Sequence, residues 1–174
     1  MKRVLVMVFA YSFVFANVGM SFAQQRAVSV EQEKEEIRKV LNDEAQAANN
    51  FHRTHDVEGN LRFYAPEFFE IRDGEIGTLA NIRQNLKIIL EQLKLGKPLI
   101  LFVQYSNISV DVTGSAAWAS YDMTLKYGLA GELTTRNKKC TSIFKRNGSS
   151  WLFVHDHCST VKEMRPTSPR MDNN

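Results

Sequence analysis

Cysteine and histidine are both scarce in this chain, with two of the first and four of the second in 174 residues. Two isolated cysteines provide no zinc-ligand spacing. No glycine-rich loop has the spacing that cradles phosphate, and no segment repeats. A charge excess is missing too, since 22 basic residues face 19 acidic ones. No apolar run reaches the ~20 residues that a membrane span needs. These absences argue against a zinc module, a P-loop enzyme, a solenoid, a phosphate-tracking nucleic-acid binder and a retained membrane helix. Neither a metal nor a cofactor is expected.

The amino terminus has a different character. Met1-Lys2-Arg3 is a short basic start, and Val4 to Val18 is apolar apart from Ser12 and Asn17. Ser21-Phe22-Ala23 then places small residues at the −3 and −1 positions before Gln24. This is the pattern of a secretory signal peptide over residues 1–23. Its removal takes away Lys2 and Arg3 and no acid, lowering the formal net charge from +3 to +1. The expectation is an exported protein, periplasmic or secreted, with no membrane attachment after cleavage. A single domain over 24–161 and a disordered tail over 162–174 complete the organisation.

Periodicity orders the domain. Ser29-Val30-Glu31-Gln32 fits a helix-opening capping box, and Ile37, Leu41, Ala45, Ala48 and Phe51 follow at helical spacing. A short helix is predicted from Asp56, with Val57, Leu61 and Tyr64 on one face and Pro66 as its stop. Phe68 to Ile71 reads as a strand ended by Asp73-Gly74. A third helix carries Leu79, Ile82, Leu86, Ile89, Leu90 and Leu93, with Gly96 and Pro98 beyond its end. The period then changes to two. Strands are predicted over 99–112, 116–127, 133–146 and 151–161, joined as a meander. Helices segregated from an antiparallel sheet give an α+β class. Strands this long must curve to cover three helices, which makes a cone with a central pocket.

That order, with the ending "FKRNGSSWLFVHDHCS", resembles the NTF2-like superfamily, and within it the SnoaL-like proteins and the association domain of calcium/calmodulin-dependent kinase II. Trp151, Leu152, Val154, His155, His157, Cys158 and Ser159 carry the resemblance, as do "GSAAWASYD" (114–122) and the helix join "ANNFHRTHDVEGNLRFYAPEF". It implies three N-terminal helices packed on a strongly curved antiparallel sheet. It also implies pocket arginines near Ser142 and near Met123 or Asp122. Neither place is basic here, which speaks against an anion pocket of that kind and leaves Ser142 as a pocket-wall residue.

Several side chains are candidates for a site. On a regular strand, His155 and His157 share a face with Trp151 and Phe153, while Leu152, Val154, Asp156 and Cys158 take the other. Both faces are largely apolar, so one packs on the helices and the other calls for a second subunit, predicting a homodimer through the sheet face. Asp122, with Trp118 and Ser120 on its face, is a candidate pocket carboxylate whose ionisation a buried His or Tyr partner would move toward catalytic use. Tyr105 and Tyr121 are candidates to supply phenols. The cysteines depend on loop length. A three-residue loop sets Cys140 opposite Cys158, whereas the two-residue turn that Asn147-Gly148 favours puts them on opposite faces and leaves free thiols.

The function expected is a homo-oligomer that binds a small, partly apolar molecule in the pocket formed by Tyr105, Tyr121, Asp122, Ser142, His155 and His157. One alternative is an isomerase-like enzyme of the SnoaL or ketosteroid-isomerase kind, using Asp122 as base with His157 or a tyrosine as donor. Another is a self-association scaffold.

Overall fold

The structure, a computed structural model, describes residues 15–129 and 133–161, with side chains for 29–128 and 133–161. The expected tail over 162–174 and most of the expected signal peptide therefore lie outside the described residues. The first helix, α1 (Phe15–Thr54), runs through Ser29 without a break. The capping box predicted there does not start a helix, because no Gly or Pro interrupts residues 20–54 and propensity carries the helix onward. Among the described residues, no helix is long and apolar enough to cross a membrane. At the far end of α1, His55 turns to the left-handed region (φ 54°). The short helix α2 (Val57–Leu61) then starts, capped by the Asp56 carboxylate, which accepts from Gly59 N.

Strand β1 (Tyr64–Arg72) follows directly, and Pro66 lies inside it rather than ending a helix. It is tolerated because the pairing of β1 with its neighbour shifts register between Tyr64 and Phe69. Asp73 and Gly74, both at positive φ, form a two-residue turn into β2 (Glu75–Thr78). Helix α3 (Leu79–Lys94) begins with a capping box between Thr78 and Asn81. Four long strands complete the domain: β3 (Leu99–Thr113), β4 (Ala116–Leu129), β5 (Thr134–Asn147) and β6 (Ser150–Thr160).

The strands form one six-stranded sheet in the order β2-β1-β6-β5-β4-β3. The sheet is mixed, not purely antiparallel, because β1 runs parallel to β6. The helices α1 and α2 occupy the connection that precedes this pairing. Helix α1 packs across β3 on the concave face. Its Asn49 side chain donates to Val103 O (2.9 Å) and accepts from Val103 N (2.6 Å). One amide thus satisfies both free backbone groups of an edge strand. Phe144, Ile37 and Leu41 are fully buried between helix and sheet, and Phe51 is fully buried near the end of α1, each worth roughly 2 kcal/mol of burial.

Two irregularities decide which side chains face inward. On β3 the register shifts between Ser106 and Ser109, with Asn107 at φ 53°. Val103 and Tyr105 before the shift and Val110 after it all turn toward the helices. On β6 the pairing with β5 shifts between Phe144↔Phe153 and Ile143↔His155, leaving Val154 as the extra residue of a bulge. Trp151, Phe153, Asp156 and Cys158 are therefore all buried. His155 and His157 point to the outer face, away from Trp151 and Phe153, which corrects the alternation expected for a regular strand.

The same bulge corrects the reading of the cysteines. The hairpin has a two-residue turn, but it is Gly148-Ser149 rather than Asn147-Gly148, with Asn147 paired to Ser150. On its own that register would part the two thiols. The extra residue at Val154 restores the parity, so Cys140 pairs directly with Cys158 at 4.2 Å between Cα atoms, and the two form a disulfide rather than free thiols.

Candidate functional site

Helix α3 has a strong apolar stripe, yet none of its residues is fully buried. The reason is a cavity of about 490 Å³ between α3, the middle of α1 and the concave sheet. Ile82, Leu86 and Ile89 of α3 face Leu101, Val103, Met123 and Leu125 of β3 and β4 across it. Its volume lies within the range of small-molecule sites.

The opposite end of the cavity is polar and is built from three elements. Glu44 enters from α1, one turn from Leu41 and Ala48. Tyr64 OH donates to Glu44 Oε1 and Tyr105 OH donates to Glu44 Oε2, each at 2.6 Å. Burial pushes the Glu44 carboxyl above its ordinary range, and the two phenol hydrogen bonds offset this only in part. Both phenols are pushed well above the usual tyrosine value, chiefly by burial and then by the Glu44 charge. They remain neutral donors.

A second buried network lies behind the first. Tyr105 stacks edge-on against Tyr121 at 4.8 Å. Tyr121 OH donates to Asp156 Oδ1 at 3.1 Å, and Ser142 Oγ donates to the same oxygen at 2.8 Å. Asp156 Oδ2 lies 3.8 Å from Arg72 Nη2 and 3.4 Å from Cys158 Sγ. Arg72 Nε is also 2.7 Å from Glu70 Oε2, a close ion pair without hydrogen-bond alignment. Glu70 faces Gly77 on β2, where a Cβ would sit 2.8 Å from Glu70 Oε1, so glycine leaves room for the carboxylate. Burial raises the Glu70 carboxyl, and Arg72 opposes that shift. The wall is completed by Lys138, which is nearly buried and paired at 2.8 Å with Asp73. Asp73 also accepts from Thr160 N and Oγ1, and these bonds with Lys138 hold its carboxyl far below the usual range.

The six candidate residues thus divide between the two faces of the sheet. Tyr105 lines the cavity, while Tyr121 and Ser142 support it from the buried network. Asp122 is half-exposed on the outer face, ion-paired with Lys139 and accepting from Asn107 Nδ2 at 2.7 Å. The bonds to Lys139 and then Asn107 lower its carboxyl, opposite to the shift expected for a buried base. His157 shares with Asp122 an open outer hollow that includes Lys139 and Thr141. His155 stacks on Phe69 at 4.3 Å, its Nδ1 lying 3.2 Å from Phe69 O.

Basic side chains are not absent from the cavity, contrary to expectation. Arg72, Arg136 and Lys138 come from β1 and β5 instead of the positions near Ser142 and Met123. Glu44, Glu70, Arg72 and Asp156 carried no local signal in the sequence. Among the described residues, Cys140, Cys158 and Asp156 form a group whose ligand atoms lie within 4.8 Å of one another, but its two sulfurs are bonded to each other.

The cone, the helical cover and the polar pocket define a class. The SnoaL-like domain family matches residues 37–163, and the chain belongs to that family. Comparison with curated proteins finds no match. Solved structures share the fold. An NTF2-like protein with a cystatin-like fold from Novosphingobium aromaticivorans is 17% identical, with 82% of this chain and 88% of that one covered at a TM-score of 0.58. A proposed aromatic ring hydroxylase from the same organism is 13% identical and reaches 0.64, over 75% and 90% of the two chains. A proposed calcium/calmodulin-dependent kinase II association domain from Exiguobacterium sibiricum is 8% identical at 0.58, over 76% and 95%. The fold is NTF2-like.

Proposed function

We propose that this chain is an exported, self-associating protein that binds a small, partly apolar molecule in the cavity beneath α3. The observation that carries this reading is an apolar helix face that closes a hollow of about 490 Å³ instead of packing into a core. An apolar helix face that lines a hollow leaves hydrocarbon surface for an apolar ligand to pack against. The test uses N-phenyl-1-naphthylamine, an uncharged dye at neutral pH whose fluorescence rises in apolar sites. Leu86→Trp fills the cavity, whereas Ile88→Trp adds the same ring to a half-exposed position of the same helix. The dye is expected to bind the wild type and I88W alike, and L86W about tenfold more weakly. Equal binding to all three proteins, or binding to none, would defeat the reading.

Self-association has support on the outer face. Trp118, Ile143 and Phe69, each more than 40% exposed, form a row with His155 across four adjacent strands. An apolar row on an open sheet face suits a second copy of the same face. Sedimentation is expected to give a dimer for the wild type and to show Trp118→Glu dissociating about tenfold more readily. A wild type that sediments as a monomer would remove this part of the proposal. Export is supported by the amino-terminal pattern together with a disulfide, which oxidising compartments maintain. A mature mass starting at Gln24 in the exported fraction is the expected result, and an intact chain retained in the cytoplasm would contradict it.

A further inference from the structure

The polar end of the cavity is lined by two carboxyls, Glu44 and Glu70, and by three basic side chains, Arg72, Arg136 and Lys138. Arg72 is already shared between Glu70 at 2.7 Å and Asp156, in the network behind the lining, at 3.8 Å. Lys138 is committed to Asp73. Arg136 stands at the exposed side of the cavity, paired in register with Leu125. Glu44 has phenols as its hydrogen-bond partners, and these bring no charge; Arg72 acts on it only through space. Each phenol takes one acceptor direction on its carboxylate oxygen, and a carboxylate offers about four. Glu44 is therefore a positioned carboxylate with unused acceptor capacity, inside a hollow whose far wall is hydrocarbon.

We propose that the cavity takes a small apolar amine, its ammonium seated against Glu44 and its hydrocarbon body lying along Ile82, Leu86 and Ile89. The proposal rests on the reading of this cavity as a ligand site and names the class of ligand. An ammonium supplies an ion-pair partner for Glu44, which has none in the lining, along with three donors for the open lone pairs. A carboxylate ligand seated against Glu44 would meet a like charge, with Arg72 and Lys138 already ion-paired and Arg136 the remaining cation of the lining. A neutral alcohol would gain the apolar wall without the ion pair.

The test compares three probes with one body, 3-phenylpropan-1-amine, 3-phenylpropan-1-ol and 3-phenylpropanoate, titrated calorimetrically into the full chain at neutral pH. The amine is expected to bind about tenfold or more tightly than the alcohol, with the acid weakest. Glu44→Gln keeps the side-chain shape and is expected to bring the amine down to the affinity of the alcohol while leaving the alcohol unchanged. A preference for the acid, equal binding of amine and alcohol, or an amine preference that survives E44Q would overturn the proposal. The wild-type ranking decides the question even if E44Q does not fold. Binding of the dye and the alcohol without preference for the amine removes this inference alone. No binding by any probe, dye included, removes the cavity reading as well.

Discussion

Replacing Cys140 and Cys158 together by alanine is expected to cost about 3 kcal/mol of stability, the loss predicted when a cross-link closing a loop of this size is opened. The two cysteines are 18 residues apart in sequence and face each other across the β5–β6 hairpin. Both are buried, so the variant also loses packed sulfur volume. In urea, the midpoint should fall for the wild type when a reductant is added and stay unchanged for the double variant. A non-reducing peptide map should yield the linked pair. Wild-type curves that coincide with and without reductant would show that the bulge at Val154 holds the register without a cross-link, and would return the two residues to free thiols.

The second large effect is expected at Asp156. Its carboxylate accepts from Tyr121 and Ser142 on one oxygen and faces Arg72 on the other. Tyr121 OH and Ser142 Oγ lie 2.8 Å apart, so Asp156→Ala leaves one of the two buried hydroxyls without an acceptor and removes one of the two anions that balance Arg72. The expected loss is about 3 kcal/mol. Asp156→Asn keeps an acceptor for the hydroxyls and removes the charge, so it should cost roughly half as much. The order Ala worse than Asn in chemical denaturation shows that the hydrogen bonds contribute beyond the charge. A loss below about 1 kcal/mol for alanine would mean that the network is not closed as described.

These two residues also show where sequence reasoning stops. Strand periodicity located all four meander strands, because alternation is a local property of residues such as those in Ala116–Leu129. The bulge at Val154 has no such signature, since it exists only in the pairing of β6 with β5. One extra residue there moved Asp156 and Cys158 to the inner face and both histidines to the outer face. Strand β2 escaped notice for a related reason. Glu75–Thr78 is too short for alternation to register, and it is held by pairing with β1.

Glu44 was missed because an acid on an otherwise charged helix reads as a solvated position. Its partners lie 20 and 61 residues away in the chain. Tyr105 lines the cavity, but in the sequence Ser142, which lies in the network behind it, and Asp122 were not separable from it. A mid-strand carboxylate looks the same in sequence whether it enters a cavity or, as here, pairs with Lys139 outside. Arg72, next to the Asp73-Gly74 turn, read as the flank of a turn and became part of the site only through the parallel pairing of β1 with β6. The fold was therefore readable from local pattern and family resemblance, while the polar end of the pocket depended on contacts between distant segments.

The central claim is that the hollow beneath α3 receives the ligand. A heteronuclear NMR titration of the labelled protein with the neutral 3-phenylpropan-1-ol tests it most directly. The account predicts saturable shifts concentrated at Leu86, Ile89, Val103, Tyr105 and Met123, with His157, Asp122 and Thr141 on the outer hollow unmoved. Shifts confined to that outer hollow, with the residues beneath α3 silent, would contradict it.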